Sequence, residues 1–323
     1  MLKSNILGMN LKNPLFLAAG ILGTTASSMK MVARAGAGGI VTKSFSLEAN
    51  DGYENPTIVK IEGGVINSVG LASPGVEAKK EELIELEDIR DETPVIASIY
   101  GDSEDVFCEV AQRTKEYVDA FELNVSCPHA KCGFGSNIGE DPEMTYNIVS
   151  SVKDSIKDVP IIVKLTPNVT DITEIAKASQ EAGADALTLI NSVGPGLRID
   201  YQTGKPILNN VLGGIAGPMI KPIALKCVYN TYKTVDIPIF GVGGIKDYKD
   251  VLEFMYAGAS LLQIGTSIMY DGPEIFKNIT DDLSIFLEEN GYNNVTEIIG
   301  LSHELWLGEC VFNDKKCIWW WST

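Results

Sequence analysis

The sequence predicts an α/β protein built as a (β/α)8 TIM barrel, with insertions on the C-terminal face of the barrel. Eight short apolar runs rich in β-forming residues recur along the 323 residues, and helix-like patterns separate most of them. Strands that alternate with helices are typical of parallel βαβ units, and eight such units in one domain indicate a closed barrel. A doubly wound open sheet is the alternative that this spacing leaves open.

Many of the predicted strands end in glycine or a short polar residue. They lie at residues 15–20, 39–44, 94–100, 120–126, 160–166, 186–191, 238–243 and 261–266. Helical patterns stand out at residues 142–156, 172–182, 220–232 and 248–257. Three helices end in Ala-Gly-Ala just before a strand, where a left-handed glycine stops the helix and reverses the chain: Gly36, Gly183 and Gly258.

Two segments do not fit the alternation of strands and helices. Residues 48–76 are rich in Gly, Asn and Pro and contain β-like pieces at 57–61 and 65–69, and residues 194–214 follow the sixth strand. Long excursions on this face of a barrel are usually lids or ligand walls. We predict one barrel domain over residues 1–303 and a C-terminal tail over 304–323 that holds all four tryptophans.

Composition and charge exclude several classes of function. The net charge of −17 argues against nucleic acid and anionic membrane surfaces as partners. No apolar stretch is long enough to span a bilayer, and the N-terminus lacks the apolar core of a signal peptide, so we expect a cytoplasmic protein. Six cysteines without paired zinc-site spacing and only two histidines predict no metal site.

The most informative stretch is Asn-Val-Ser-Cys-Pro-His at residues 124–129, at the end of the predicted fourth strand. Barrel enzymes place their chemistry at this end of the strands. Pro128 stiffens the loop, which suits a thiol aimed at a ligand. Cys127 is therefore a candidate catalytic residue, although a lone cysteine is more often a small buried apolar residue.

Glycines close the last two strands, at residues 241–244 and at Gly265 with Thr266. In barrels these two loops commonly bind phosphate, because glycine lets backbone N–H groups approach the anion. Residues 213–217 offer a third glycine-rich wall. The pattern predicts a bound phosphate that belongs to a sugar, a nucleotide or a flavin.

Two lysines and three asparagines complete the predicted site. Lys43 and Lys164 stand near strand ends in apolar surroundings, where a lysine is costly unless it meets an anion or a cofactor. Such a lysine serves either as a Schiff-base amine or as a fixed charge beside an electron-rich ring. Converging asparagine amides suit a flat polar ligand with alternating N–H and C=O groups: Asn67, Asn124 and Asn191.

Taken together, these motifs resemble the class 1 dihydroorotate dehydrogenases, over a match that extends from about residue 11 to about residue 303. The segments that carry the resemblance are Lys43-Ser44, residues 67–71, 124–128 and 163–168, Ile190-Asn191, and residues 204–208 and 241–244. Residues 198–208 most resemble the NAD-linked class 1B subgroup.

The resemblance implies an FMN-containing barrel that oxidises dihydroorotate to orotate in pyrimidine biosynthesis. In this family a proton leaves C5 of the substrate, next to a carbonyl, and a hydride leaves C6 for the flavin. Cys127 matches the catalytic base, and an ordinary thiol pKa of about 8.5 leaves some thiolate near neutrality. Lys164 matches a lysine that stabilises the reduced ring.

The resemblance also implies the binding residues. Those that match the contacts of dihydroorotate and orotate are Lys43, Asn67, Ser68, Val69, Gly70, Leu71, Asn124, Asn191 and Ser192. Those that match the FMN contacts are Ala19, Gly20, Lys43, Ser44, Ser98, Asn124, Lys164, Ile190, Gly217, Gly243, Gly244, Gly265 and Thr266. Two positions depart from the family pattern, since His129 and Ser98 stand where asparagine is common.

Class 1B members form homodimers and pass electrons to NAD through a second subunit that carries FAD and a 2Fe–2S cluster, which makes a heterotetramer. This chain has neither the cysteine spacing of such a cluster nor a G-x-G-x-x-G motif, so a partner would supply both. The alternatives are a class 1A homodimer that uses fumarate, a Schiff-base aldolase or phosphosugar barrel that uses Lys164, and a ligand-binding barrel without catalysis.

Overall fold

The computed structural model describes residues 1–126 and 138–304 of the chain. Its strands in chain order are β1 (Ser4–Ile6), β2 (Met9–Leu11), β3 (Leu15–Leu17), β4 (Gly39–Val41), β5 (Ile58–Ile61), β6 (Gly64–Asn67), β7 (Val95–Ile99), β8 (Ala120–Asn124), β9 (Ile161–Leu165), β10 (Ala186–Leu189), β11 (Val193–Leu197), β12 (Leu212–Ala216), β13 (Ile239–Val242) and β14 (Ala259–Ile264).

Eight parallel strands close into a barrel in the order β10-β13-β14-β3-β4-β7-β8-β9. Seven of the eight predicted strands contain one of them, and the eighth, predicted at 261–266, overlaps β14, which begins two residues earlier. The closure is made by β14 and β3, where Leu262 pairs with Leu15. The predicted (β/α)8 fold is therefore confirmed, and the open doubly wound sheet is excluded because both of its edge strands would lack this pairing.

Helices follow most barrel strands and pack around the outside. They are α1 (Ala26–Arg34), α2 (Val76–Ile84), α3 (Glu87–Arg90), α4 (Glu104–Thr114), α5 (Pro142–Ser155), α6 (Ile172–Glu181), α7 (Lys221–Tyr232), α8 (Tyr248–Tyr256), α9 (Ile268–Asp271), α10 (Ile275–Glu289) and α11 (Leu301–Glu304).

The helix ends follow local capping chemistry. Asp141 and Asp247 precede α5 and α8, and their carboxylates accept hydrogen bonds from first-turn amides. The three predicted glycine stops have φ of 104° at Gly36, 96° at Gly183 and 114° at Gly258, which confirms their left-handed role. These stops turn the chain back into β4, β10 and β14.

Inside the barrel, apolar side chains fill the half near the amino ends of the strands. The β1–β2 hairpin covers that end and packs into a buried cluster with inward residues such as Phe16, Ile96, Ile162 and Phe240. Because a strand repeats every two residues, the next inward positions follow two residues later. Those positions are polar on five strands and buried: Ser98, Glu122, Lys164, Thr188 and Gln263.

The two predicted insertions join into one antiparallel sheet in the order β11-β12-β6-β5. Gly214 of the second insertion pairs with Asn67 of the first. The β pieces predicted in the first insertion are present, but β6 ends at Asn67, because Gly70 and Leu71 take positive φ of 72° and 56°. This sheet stands beside the carboxyl ends of the barrel strands.

Within the described residues, no helix combines the length and apolar character that a membrane crossing requires. The division into a barrel over 1–303 and a tail over 304–323 stays a prediction. All of the tail except Glu304 lies outside the described residues.

Candidate active site

Polar side chains from two barrel loops and two barrel strands form a hydrogen-bonded chain at the carboxyl ends of the strands. Ser44, after β4, lies 2.8 Å from Ser98 of β7, oxygen to oxygen. Asn124, the last residue of β8, donates from Nδ2 to Ser44 Oγ at 3.4 Å. Asn191, after β10, donates from Nδ2 to Asn124 Oδ1 at 3.1 Å. Four predicted site residues from distant parts of the chain are thus brought into direct contact.

Backbone contacts fix the orientation of these amides. The N–H of Asn191 donates to the Leu165 carbonyl at 2.9 Å, and its Oδ1 accepts from the N–H of Ser192 at 2.8 Å. Asn124 Oδ1 also accepts from the N–H of Ser126 at 3.3 Å. The assignment of amide nitrogen and oxygen at both asparagines follows from these partners.

Lys43 lies two residues beyond β4 and is half-buried. Its backbone N–H donates to the Gly23 carbonyl at 2.9 Å. A Cβ atom on Gly23 would approach Lys43 N to 2.5 Å, so the loop after β3 needs glycine at this point. Burial lowers the pKa of the Lys43 ammonium, which leaves a cation whose charge an anionic ligand would stabilise.

Lys79 of α2 supports the same loop and was missed by sequence reasoning. Its side chain is almost fully buried, and Nζ donates to the carbonyls of Gly23 at 2.7 Å and Thr24 at 2.9 Å. Burial lowers the pKa of Lys79 to about 8, an effect that Glu82 opposes and Lys43 reinforces. In the sequence, Lys79 stands in a helical segment of mixed charge. This pattern does not predict that its side chain is buried.

Lys164 of β9 points into the barrel beneath the same mouth. Its Nζ lies 3.4 Å from Oε1 of Glu122 on β8, and both side chains are buried. Oε2 of Glu122 accepts hydrogen bonds from Thr188 and Gln263. Sequence reasoning predicted Lys164 as a site residue but treated Glu122 as part of an apolar strand. A single carboxylate within an apolar run was the signal that could have identified it.

The segment after β6 carries the residues predicted to contact substrate. Asn67 Nδ2 donates to the Gly214 carbonyl at 3.2 Å, which links both insertions. The Tyr100 hydroxyl, just beyond β7, donates to the Leu71 carbonyl at 2.8 Å and ties the segment to the barrel. Gly70 offers its carbonyl to Asn50 Nδ2 at 2.9 Å, and the carbonyl of Val69 accepts from the N–H of Tyr53 at 3.2 Å.

Glycines from two loops meet at the other side of the mouth. Gly217, Gly243 and Gly244 have φ of 111°, 137° and 80°. A Cβ on Gly244 would lie 2.9 Å from the Gly217 carbonyl, and a Cβ on Gly217 would lie 2.7 Å from Gly64 Cα and 3.5 Å from Thr266 Cγ2. Gly217 also leads through the turn Pro218–Ile220 into α7, whose amino end favours an anion. This cradle of side-chain-free backbone fits a phosphate group.

The remaining predicted flavin contacts lie at the same barrel end. Ala19 and Gly20 follow β3, and a Cβ on Gly20 would meet no atom within 4 Å. Ile190 follows β10, and its N–H donates to the Val242 carbonyl at 3.0 Å. Gly265 follows β14, with Thr266 after it.

The site also contains buried polar atoms that have no hydrogen-bond partner among the described residues: Ser68 Oγ, Ser126 Oγ, Glu122 Oε1 and Gln263 Oε1. Such atoms are costly unless a ligand or water satisfies them. Together with the glycine cradle, they fit a cofactor that has a phosphate at one end and a polar ring at the other, as FMN has.

Cys127, the predicted catalytic base, and His129 lie outside the described residues, so the role of Cys127 stays a prediction. The described chain leads from Asn124 at the end of β8 to Ser126. In residues 1–126 and 138–304, no three His, Cys, Asp or Glu side chains are grouped closely enough to hold a metal ion.

Comparison with known proteins agrees with this arrangement. The family model for dihydroorotate dehydrogenase matches residues 1–287. A protein of Methanothermobacter thermautotrophicus is 56% identical over 304 residues, which cover 94% of this chain and 99% of the relative. Proteins of Methanocaldococcus jannaschii and Pyrococcus abyssi are each 48% identical with the same coverage. All three carry the name dihydroorotate dehydrogenase B (NAD(+)), catalytic subunit. The chain therefore belongs to the dihydroorotate dehydrogenase family, as its motifs predicted.

Proposed function

We propose that this chain is an FMN-dependent catalytic subunit that oxidises (S)-dihydroorotate to orotate in pyrimidine biosynthesis. The observation that carries the proposal is the hydrogen-bonded chain of Ser98, Ser44, Asn124 and Asn191 at the mouth of a barrel that belongs to this family. It offers a row of amide and hydroxyl groups to a flat, polar ring. The family match supplies the reaction.

Bound FMN would supply a hydride acceptor for C6 of the substrate. The phosphate would lie in the glycine cradle, against the backbone of Gly217, Gly243 and Gly244 and beside Gly265 and Thr266. Lys164 would supply a positive charge under the polar end of the ring.

The substrate is a pyrimidine with ring N–H and C=O groups and a carboxylate. Asn67, Asn124 and Asn191 would bind the ring groups, because each amide both donates and accepts. Lys43, held by the loop after β3, would pair with an anionic group of the substrate. Cys127 would take the proton from C5, where the adjacent carbonyl stabilises the developing negative charge.

The Schiff-base alternative on Lys164 has less support. An amine must be unprotonated to attack a carbonyl carbon. Oε1 of Glu122 lies 3.4 Å from Nζ of Lys164 in the barrel interior, so the lysine already has an ionic partner there. A fixed charge near a ring cofactor suits this pair better than a nucleophile does.

We also propose that the chain works in the class 1B manner, as a homodimer within a heterotetramer. Electrons would pass to NAD through a partner subunit that carries FAD and a 2Fe–2S cluster. The names of the similar proteins, which print both NAD(+) and catalytic subunit, support this arrangement over the fumarate-linked class 1A form. The sequence also lacks the cysteine spacing of an Fe–S cluster and a G-x-G-x-x-G motif.

Anaerobic addition of dihydroorotate to the purified chain tests the reaction directly. We expect the flavin absorbance of the wild-type protein to bleach on addition of substrate. Cys127→Ala should keep the flavin spectrum but bleach about 10²–10⁴-fold more slowly, because it lacks the base. Cys108→Ala, which removes a half-buried thiol from α4, is the matched control and should behave like wild type.

Two outcomes would contradict different parts of the proposal. A Cys127→Ala protein that bleaches at the wild-type rate would show that another group takes the proton. A folded wild-type protein that neither contains nor binds FMN would contradict the proposed function as a whole.

A further inference from the structure

The Glu122 carboxylate is fully buried inside the barrel and is held from two sides. Its Oε2 accepts a hydrogen bond from Thr188 Oγ1 of β10 at 2.9 Å and another from Gln263 Nε2 of β14 at 2.8 Å. Both donors are neutral, so they fix the position of the carboxylate without cancelling its charge. Three strands are needed to build this arrangement.

The other oxygen of Glu122 faces a cation instead of a hydrogen-bond donor. Oε1 has no hydrogen-bond partner among the described residues and lies 3.4 Å from Nζ of Lys164. This distance is longer than the roughly 2.7–2.9 Å of a charge-assisted hydrogen bond. Nζ donates no hydrogen bond to any other group in the described part of the chain. Within residues 1–126 and 138–304, the ammonium is therefore compensated in charge, while its hydrogens stay uncommitted.

A lysine whose charge is compensated while its hydrogens are left free is suited to interact with a ligand. A lysine engaged in a close bidentate contact would have fewer hydrogens to offer, and an unpaired lysine would pay the full cost of burial. Gln263 and Thr188 prevent the close bidentate contact, because they hold Oε2 on the far side of the carboxylate. Glu122 itself prevents the lysine from being unpaired.

We propose that Glu122 is a positioning residue for Lys164: held by Thr188 and Gln263, it neutralises the lysine charge in the barrel floor and leaves the ammonium hydrogens for the flavin ring. This inference rests on the proposed function, since it takes FMN as the group above Lys164. It assigns no contact between Glu122 and the cofactor. Glu122 acts through the lysine, and its effect should vanish when the lysine is absent.

A double-mutant cycle tests this coupling. The proteins are the wild type, Glu122→Gln, Lys164→Met and the double variant, each measured with saturating FMN for the midpoint potential of the flavin and for the thermal midpoint of unfolding. Glu122→Gln keeps the hydrogen-bonding shape but leaves an uncompensated cation. We expect a more positive flavin potential, because reduction adds electron density beside that charge, and a lower thermal midpoint.

The other two proteins separate coupling from a general structural role. Lys164→Met should shift the potential in the negative direction. In the Lys164→Met background, Glu122→Gln should leave the potential unchanged, because the charge through which Glu122 acts is gone. The thermal midpoint of the double variant should exceed that of Glu122→Gln, since the buried cation is removed.

Asp185→Asn is the matched control. Asp185 pairs with Lys153 at 2.6 Å just before β10, and it also accepts from the N–H of Ile161. Its loss should lower the thermal midpoint without moving the flavin potential. A shift of the potential in Glu122→Gln that exceeds the shift in Asp185→Asn supports the positioning role.

Several outcomes would overturn the role of Glu122. One is an unchanged potential in a folded, FMN-bound Glu122→Gln protein. Another is an equal shift with and without Lys164. If Glu122→Gln fails to fold, recovery of folding in the double variant supports the coupling, and failure of both contradicts it. A wild-type protein that binds no FMN would instead contradict the proposed function. The thermal midpoints of the four proteins would still report whether Glu122 and Lys164 are coupled.

Discussion

Three lysines surround the site of this acidic protein, and each is stabilised in a different way. Lys164 faces a buried carboxylate, Lys79 donates to two backbone carbonyls, and Lys43 is half-buried next to the loop that Lys79 holds. Burial penalises the charged form of a lysine, so the energetic cost differs among the three. Of the three, Lys79 has the clearest effect, because its buried position makes the stability of the fold depend on pH.

We expect the stability of the fold to rise with pH between about 8 and 10.5 through Lys79. Its pKa is about 8 in the folded protein and 10.5 in a solvated chain, so the unfolded state binds more protons in this window. Below pH 8 the burial penalty is fully present, and above pH 10.5 it is relieved. Lys79→Met should remove a pH-dependent contribution on the order of 2 kcal/mol, measured by urea unfolding at pH 7.5 and 10.

The matched control for this prediction is Lys80→Met on the same helix. Lys80 lies over the Tyr117 ring, with its Nζ 5.3 Å from the ring centroid, and it is only partly buried. It should keep the pH dependence of the wild type. Equal pH dependence in the wild type and in Lys79→Met would show that Lys79 does not carry the effect.

At the scale of the elements, the sheet formed by the two insertions determines where residues 67–71, the proposed substrate segment, lie. β12 pairs with β6, so Asn67 is held by a strand more than a hundred residues away in the chain, through its amide bond to the Gly214 carbonyl. Close backbone packing at Gly213 keeps this pairing tight, since a Cβ there would lie 2.6 Å from the Asn67 carbonyl oxygen. Small residues in β12 are thus part of the proposed substrate site.

Gly213→Ala should weaken orotate binding about tenfold, which corresponds to about 1.4 kcal/mol, because the new methyl group pushes Asn67 away from its position. The FMN spectrum should persist, since the glycine cradle is elsewhere. Calorimetric titration of the FMN-loaded protein with orotate measures this change.

Gly196→Ala in β11 is the control for the sheet. A Cβ at Gly196 would crowd two side-chain atoms of Ile215, at 2.8 and 2.9 Å, and such a side chain can shift, while the nearest backbone atom, the Gly213 carbonyl oxygen, lies at an ordinary contact distance of 3.8 Å. Its orotate affinity should stay close to wild type. Unchanged affinity in Gly213→Ala would contradict the proposed role of Asn67 in substrate binding.

At the scale of the whole molecule, the proposed function gives the barrel one half of an electron-transfer reaction. Its mouth offers polar groups to one ring and a glycine cradle to one phosphate, and the sequence has no G-x-G-x-x-G motif for a dinucleotide. Under the proposed function, electrons that leave the flavin for NAD therefore need a carrier that this sequence does not provide. This is the reason to expect a partner subunit.

We expect the isolated chain to bleach its FMN rapidly with dihydroorotate but to reduce NAD slowly. Addition of an FAD- and 2Fe–2S-containing partner should restore NAD reduction, measured by the growth of NADH absorbance. Fumarate without the partner is the comparison that separates the class 1A form. Rapid NAD reduction by the isolated chain would contradict the need for a partner.

Local sequence patterns determined much of the fold of this protein. Runs of apolar residues, aspartate caps and glycine stops repeat along the chain, and each acts over only a few residues, so the eight barrel strands and their connecting helices were predictable. The grouping of Lys43, Asn124, Lys164 and Asn191 was also predictable, because the carboxyl ends of parallel strands meet at one face.

Only the tertiary structure decided which side chains meet across the barrel. Glu122, Thr188 and Gln263 come from strands far apart in the chain, and each looks like an isolated polar residue in an apolar run. The joining of the two insertions and the burial of Lys79 against the loop after β3 arise in the same way. Strand periodicity indicates which face of the sheet a residue occupies, but the closure and register of the barrel determine its neighbours. Closure and register depend on all eight strands at once.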